Sequence, residues 1–193
     1  MAATRPLPVP TIPDLSLSDL ADLPPRANVA IAVRCALRLA GFFRLPADFD
    51  DREACQSIYD AALARATAFA SGAADDGDRL QELIVAAYQM AELTTDLTDY
   101  AAYAVAHAVQ AVGFARDIDG ENGNIKAMQL VASAFGACRV LIQRGRSLGT
   151  EAGISAVRAD LAVIKDVPVA PGVDPSENGP LGSLWPEGVP AGF

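Results

Sequence analysis

The amino-acid sequence predicts an all-α fold, an antiparallel bundle of five or six helices with Pro-rich N- and C-terminal arms. Three observations support this prediction. Alanine, the strongest helix former, makes up about a fifth of the 193 residues, whereas aromatic residues make up only 6%. Apolar residues recur at helical spacing in successive segments. Acidic residues and glycines stand at the ends of these segments, where helix start and stop signals are expected.

Composition divides the chain into three parts. Residues 1–26 hold six prolines and are expected to form a mostly extended arm, with a turn or two of helix at 16–23. Residues 27–166 form the predicted alanine-rich bundle. Residues 167–193 are rich in proline and glycine, and we expect this tail to dock on the bundle.

The first predicted helix covers residues 27–41. Alternate residues from Val29 to Leu39 are apolar, as in a β-strand, but most of the residues between them are alanine. Alanine favours a helix, so we predict a helix that is buried nearly all round, and the strand remains the alternative. Arg34 and Arg38 lie one turn apart at the edge of this helix.

The next three helices are predicted from caps and length. Asp50 can cap the second helix, which ends before Gly72, and the acidic residues at 75–78 precede the third. Residues 79–116 as one helix would be about 57 Å long, which is excessive for a domain of this size. We therefore predict a break in the run LTTDLT at 93–98, with a fourth helix from there to Arg116.

The last two predicted helices follow the loop DIDGENGN at 117–124. Asn124 can cap the fifth helix, and its apolar residues from Ile125 to Ile142 recur at the spacing of a core-facing stripe. The sixth helix starts at Thr150 and stops before Pro168. We predict that the small alanine side chains let these helices pack closely.

Charge and cysteine content exclude several classes of protein. The chain has 24 acidic and 15 basic residues, a formal net charge of -9, which argues against a nucleic-acid binder. No run of 18 residues lacks charged or strongly polar groups, so we expect no membrane-spanning helix. The three cysteines have no CxxC spacing, and the first residues lack the apolar core of a secretory signal. We therefore expect a cytoplasmic protein.

One polar stripe on the predicted fourth helix could carry chemistry. Asp99, Tyr103 and His107 lie at four-residue steps, and Glu92 and Asp96 fall near the same face. A carboxylate, a phenol and the single imidazole in one line could bind a small ligand or a metal. The Glu-x-x-His pairs of di-iron bundles are absent, however, so a solvent-facing stripe is the simpler interpretation.

Other common chemistries lack their motifs. The oxygen-rich loop at 117–124 has Asn122 and Met128 where a calcium-binding loop needs glycine and glutamate. There is no GxSxG motif, and no glycine-rich phosphate loop follows a strand. We therefore expect no cofactor, no metal and no enzymatic activity.

The C-terminal tail holds the candidate partner-binding residues. Four large apolar side chains fall in a segment that cannot form its own core: Leu181, Leu184, Trp185 and Phe193. They either dock on the bundle or engage a partner, for which tryptophan is the most favoured residue type.

Four segments resemble alanine-rich, all-helical bacterial proteins of unknown function, some of which are similar to immunity proteins. These segments are RCALRLAGFF at 34–43, ALARATAFASG at 62–72, DYAAYAVAHAVQAV at 99–112 and LGSLWPEGVPAGF at 181–193. The resemblance implies a protein-binding role and no catalytic residues. We expect a non-enzymatic accessory or immunity-type protein of a high-GC bacterium, with another protein as its partner, no nucleic-acid or membrane partner, and a possible homo-oligomer. A small-ligand or metal-binding protein is the alternative.

Overall fold

The computed structural model describes residues 15–120 and 122–193, and it confirms the all-α prediction. These residues form α-helices and one 3₁₀ turn, Ala40–Phe42, and they contain no β-strand. The helices are α1 (Ser18–Ala21), α2 (Pro25–Leu39), α3 (Arg52–Ala70), α4 (Leu80–Leu93), α5 (Asp96–Arg116), α6 (Gly123–Ser147) and α7 (Ala152–Ile164).

Helix α5 lies at the centre of the molecule. It packs against α2, α3, α4 and α6, while α7 packs on α6 and α2. Its ten buried residues are all alanine or valine. Because these side chains are small, neighbouring helices can pack against most sides of α5, and this alanine-rich helix lies in the core.

The alanine-rich segment at 27–41 is helical, and the strand alternative is wrong. Helix α2 begins two residues earlier than predicted, at Pro25, because the fixed φ of proline suits the first helical position. Residues 25 and 26 therefore belong to a helix and not to an extended arm. Residues 1–14 of the predicted arm lie outside the described residues.

The predicted break between the third and fourth helices is present. Thr94 and Thr95 adopt extended backbone conformations between α4 and α5. The Thr94 hydroxyl donates to the Ala91 carbonyl oxygen at 2.9 Å, and the Thr94 N–H donates to the Met90 carbonyl oxygen. These two bonds satisfy carbonyl groups at the end of α4 and terminate the helix.

Two predicted helix caps are wrong. Helix α3 begins after Asp51 and not Asp50, and α6 begins after Asn122 and not Asn124. Both cap residues have left-handed backbone conformations, with φ of 56° and 69°, and neither makes a side-chain capping bond. Asp and Asn tolerate this conformation better than other non-glycine residues, so the turn geometry decided these boundaries.

The predicted core stripe of α6 is only partly buried. Leu141, Ile142 and Cys138 lie in the core, but Ile125 and Met128 are 55% and 74% exposed. The apolar periodicity of α6 therefore includes residues near its start that are exposed.

Substitution of one buried and one exposed alanine tests how closely the helices pack. Ala104 in α5 is fully buried, whereas Ala132 in α6 is exposed. We expect Ala104→Leu to overpack the core and lower the free energy of unfolding by about 1–3 kcal/mol. Ala132→Leu should change it by less than about 0.5 kcal/mol. Urea denaturation followed by circular dichroism measures both, and equal effects would contradict this assignment of buried and exposed faces.

Candidate functional site

Two arginines and one aspartate form a buried charged cluster between α2 and α7. Arg34 and Arg38 lie one turn apart on α2, and Asp160 lies on α7. Arg34 Nε donates to Asp160 Oδ1 at 2.9 Å, and Arg38 Nη1 donates to Asp160 Oδ2 at 2.6 Å. The arginine side chains are fully buried and the aspartate is 2% exposed. One carboxylate therefore serves two buried guanidinium groups.

Carbonyl oxygens of the tail satisfy the remaining guanidinium donors. Arg34 Nη1 donates to the carbonyl oxygens of Pro175 and Gly182, both at 3.1 Å, and Arg34 Nη2 donates to that of Ser183 at 2.7 Å. Arg38 Nε donates to the Leu184 carbonyl oxygen at 2.6 Å. Burial lowers the pKa of Arg34, and the charge of Asp160 opposes that effect. The tail is thus held mainly through its backbone, by charge-assisted hydrogen bonds.

The large side chains of the tail pack on the bundle next to this cluster. Leu181 and Trp185 are 6% and 9% exposed, whereas Leu184 and Phe193 are half-buried. The guanidinium of Arg38 lies 5.6 Å from the centre of the Trp185 ring, and the Trp185 and Phe193 ring centres are 4.7 Å apart. These four predicted partner-binding residues therefore meet their own bundle, and a role in binding another protein stays a prediction.

The other end of the tail is fixed by a further arginine. Arg144 of α6 donates from Nη2 to the Gly192 carbonyl oxygen at 2.9 Å. Its guanidinium also lies 4.7 Å from the centre of the Phe42 ring, which makes an edge-to-face contact with Phe193. Arginine side chains therefore hold the tail at residues 175–184 and again at Gly192.

The charged cluster was not predicted from the sequence. The only signal is the pair Arg34 and Arg38 at helical spacing in a helix that is otherwise almost wholly apolar. A charged pair on a buried helix requires a partner. The partner, Asp160, is 122 residues from Arg38 in the chain, and nothing in the local pattern of α7 distinguishes it.

The single histidine lies in a polar cluster between three helices. The Tyr88 hydroxyl is 2.9 Å from His107 Nδ1 and donates to Gln110 Oε1 at 2.8 Å. The Ser133 hydroxyl donates to the same Gln110 oxygen at 2.9 Å. The Tyr88 hydroxyl therefore links His107 to Gln110, and the imidazole tautomer sets which of Tyr88 and His107 is the donor.

The five residues of the predicted polar stripe differ in burial and in their contacts. Glu92 and Asp96 are exposed, Asp99 and Tyr103 are half-buried, and His107 hydrogen-bonds to Tyr88. Burial, and secondarily the charge of Asp96, raises the pKa of Asp99. Within residues 15–120 and 122–193, no three histidine, cysteine, aspartate or glutamate side chains are grouped so as to hold a metal ion. A ligand or metal role for this stripe stays a prediction.

The electrostatic setting of His107 keeps its imidazole uncharged at neutral pH. Burial, and secondarily the charge of Arg139, lowers the pKa of His107 to about 4. Burial raises the pKa of Tyr88 to about 12. Both groups are therefore neutral near pH 7, and the cluster is a neutral hydrogen-bond network that joins α4, α5 and α6.

Comparison with known proteins identifies no relative. No family model, curated protein or solved structure matches the chain.

Proposed function

We propose that this chain is a non-enzymatic, protein-binding accessory or immunity-type protein of a high-GC bacterium, and that its partner is a basic protein. The observation that supports the proposal most strongly is the distribution of charge between the interior and the surface. Among the described residues, more basic than acidic side chains are buried.

Three arginines of the described chain are buried, Arg34, Arg38 and Arg144, against one buried acid, Asp160. The buried residues carry a net formal charge of +2, so the rest of the chain is two formal charges more negative than the chain total of -9. An acidic exterior attracts a basic partner and steers its approach, and it repels nucleic-acid phosphates.

An apolar stripe on α6 supplies a second property of a binding surface. Ile125 and Met128 are 55% and 74% exposed, and exposed Ala132 and half-buried Phe135 continue the same face. By length and composition α6 could also cross a bilayer, a test that core helices pass too, yet only 39% of its most apolar window is buried in the molecule. Contiguous exposed apolar surface is typical of interaction sites, and methionine adapts well to a partner.

A matched pair of substitutions on α6 tests the proposal. The wild-type protein should co-purify at low salt with a basic protein in a stoichiometric complex. Met128→Asp should weaken that complex by about 1–3 kcal/mol, because it places a charge in the contact surface. Gln143→Asp adds the same charge at an exposed position beyond the stripe, and the complex should be retained. Both positions are exposed, so the fold should tolerate either change.

Salt dependence provides the independent test of the electrostatic part. The complex should dissociate as ionic strength rises, because screening weakens attraction between exposed charges. Recovery of no stoichiometric partner, or of an acidic partner that is insensitive to salt, would overturn the proposal. Equal retention by the two α6 variants would show that the stripe is not the contact surface.

The remaining parts of the proposal concern assembly and location. We propose that the long helices form an antiparallel bundle with proline-rich arms. We also propose that the protein can form homo-oligomers. We also propose that the protein acts in the cytoplasm. Support for the last point comes from the three cysteines Cys35, Cys55 and Cys138, which are all buried free thiols, as is usual in reducing compartments.

A further inference from the structure

A cavity lies between the loop at 41–49, the start of α5 and the end of the tail, apart from the charged cluster. Its volume is about 540 Å³, which is within the range of small-molecule sites. The apolar lining is rich in aromatic rings, with Phe42, Phe49 and Phe193 accompanied by Leu45 and Leu97. Such a lining suits a flat apolar group that can pack between rings.

Two opposite charges line this same cavity without neutralising each other. Arg44 comes from the loop and Asp96 from the start of α5, and both residues are exposed. Within the described chain neither has a charged side chain of opposite sign within 4 Å. The Thr98 hydroxyl donates to the Arg44 carbonyl oxygen at 3.2 Å and ties the loop to α5. The two charges are therefore fixed to neighbouring elements and are available to a ligand.

Asp96 begins α5 with a left-handed backbone conformation, with φ of 59°, and the cap residues Asp51, Arg79 and Asn122 of three other helices share it. This recurring turn at a helix start sets the backbone position of Asp96.

From this arrangement we propose that the cavity binds a free α-amino acid with an aromatic side chain. The carboxylate of the ligand pairs with the guanidinium of Arg44, whose fork matches two carboxylate oxygens. The ammonium group pairs with the carboxylate of Asp96, and the ring packs among the three phenylalanines. A ligand with both charges on one carbon and an apolar ring complements all three features at once. This inference is independent of the protein-binding proposal.

The chain contains its own reporter for this site. Trp185 is the only tryptophan, and its ring contacts Phe193, which lines the cavity. Titration with L-phenylalanine should change Trp185 fluorescence in a saturable manner. Two analogues isolate the charges: 3-phenylpropionate lacks the ammonium group, and phenethylamine lacks the carboxylate. Each should bind about tenfold more weakly than L-phenylalanine, because one charge-assisted contact is lost.

Variants assign each charge to its residue. Arg44→Ala should weaken L-phenylalanine and 3-phenylpropionate about tenfold and leave phenethylamine unchanged. Asp96→Asn should weaken L-phenylalanine and phenethylamine and leave 3-phenylpropionate unchanged, and asparagine tolerates the left-handed backbone. The exposed residues Arg52 and Asp60 lie outside the cavity lining, so Arg52→Ala and Asp60→Asn serve as matched controls and should bind like the wild type.

Two outcomes would overturn the proposal. One is the absence of a saturable response to L-phenylalanine, in fluorescence and in calorimetry, at millimolar concentration. The other is binding that is equal for the three compounds or unchanged by both Arg44→Ala and Asp96→Asn. Melting temperatures of all four variants should match the wild type, which shows that any loss of binding is local.

Discussion

Replacement of Asp160 by asparagine is expected to lower the free energy of unfolding by about 3–5 kcal/mol. Asparagine has nearly the same shape as aspartate, so the packing between α2 and α7 is preserved. The substitution leaves Arg34 and Arg38 as two buried cations without a counter-charge, at a site where their side chains are fully buried. Urea denaturation measures the loss, with circular dichroism following the helices.

Trp185 shows whether the tail detaches before the bundle unfolds. In the native protein its 9% exposure predicts blue-shifted emission. In Asp160→Asn the repelling arginines also hold the tail carbonyl groups, so we expect the emission to shift to the red at lower urea concentration than the loss of helix. Coincident transitions would show that tail and bundle unfold as one unit.

Two controls define the origin of the effect. Arg38→Met removes one cation and leaves Arg34 paired with Asp160, so its effect should be smaller than that of Asp160→Asn. Asp60→Asn makes the same chemical change at an exposed position and should alter stability by less than about 0.5 kcal/mol. A loss of stability in Asp160→Asn no larger than in Asp60→Asn would contradict the role assigned to the buried carboxylate.

The second large effect is expected from acidification around His107. Its pKa is lowered to about 4 in the folded protein, against an ordinary value of 6.5. Above pH 6.5 the imidazole is neutral in both folded and unfolded chains, and the full stability is present. Between pH 6.5 and 4 the unfolded chain binds a proton that the folded chain excludes, so stability falls as pH falls. The difference amounts to about 3 kcal/mol near pH 4.

The contribution of His107 is isolated by comparison with His107→Gln. Urea unfolding of both proteins from pH 7 to pH 4 should show a shallower decline for His107→Gln, since carboxylates titrate alike in both. Tyr88 and Arg139 lie near the imidazole, and the pKa of Tyr88, raised to about 12 by burial, is far above this window. Tyr88→Phe removes the hydrogen bond but keeps the buried imidazole, so it should retain the wild-type slope. Parallel curves for the wild type and His107→Gln would refute the lowered pKa.

Local patterns predicted the helices well because helix formation depends on near neighbours in the chain. The threonines at 94 and 95 interrupted a long apolar periodicity, and the break between α4 and α5 lies there. The same reasoning wrongly predicted burial at the start of α6. Ile125 and Met128 continue the periodicity of α6 but meet no covering element, because periodicity specifies a face and not what lies against it.

The polar stripe shows a second limit of local spacing. Asp99, Tyr103 and His107 share four-residue steps, yet His107 bonds to Tyr88 of α4 and lies near Arg139 of α6. The partners of a buried polar group come from whichever helices pack beside it, and spacing along one helix does not identify them.

By itself, the sequence determined that the chain is helical and acidic, because alanine content, helix stop signals and charge balance are properties of local composition. Only the tertiary structure decided which charged residues are buried and which partners they have. It joined Arg34 and Arg38 to Asp160 and to the tail carbonyl groups. It also placed Arg44 and Asp96 around one cavity, where neither pairs with another charge of the described residues. The physical reason is that a buried charge must be neutralised and hydrogen-bonded, and its partners here are more than 100 residues away.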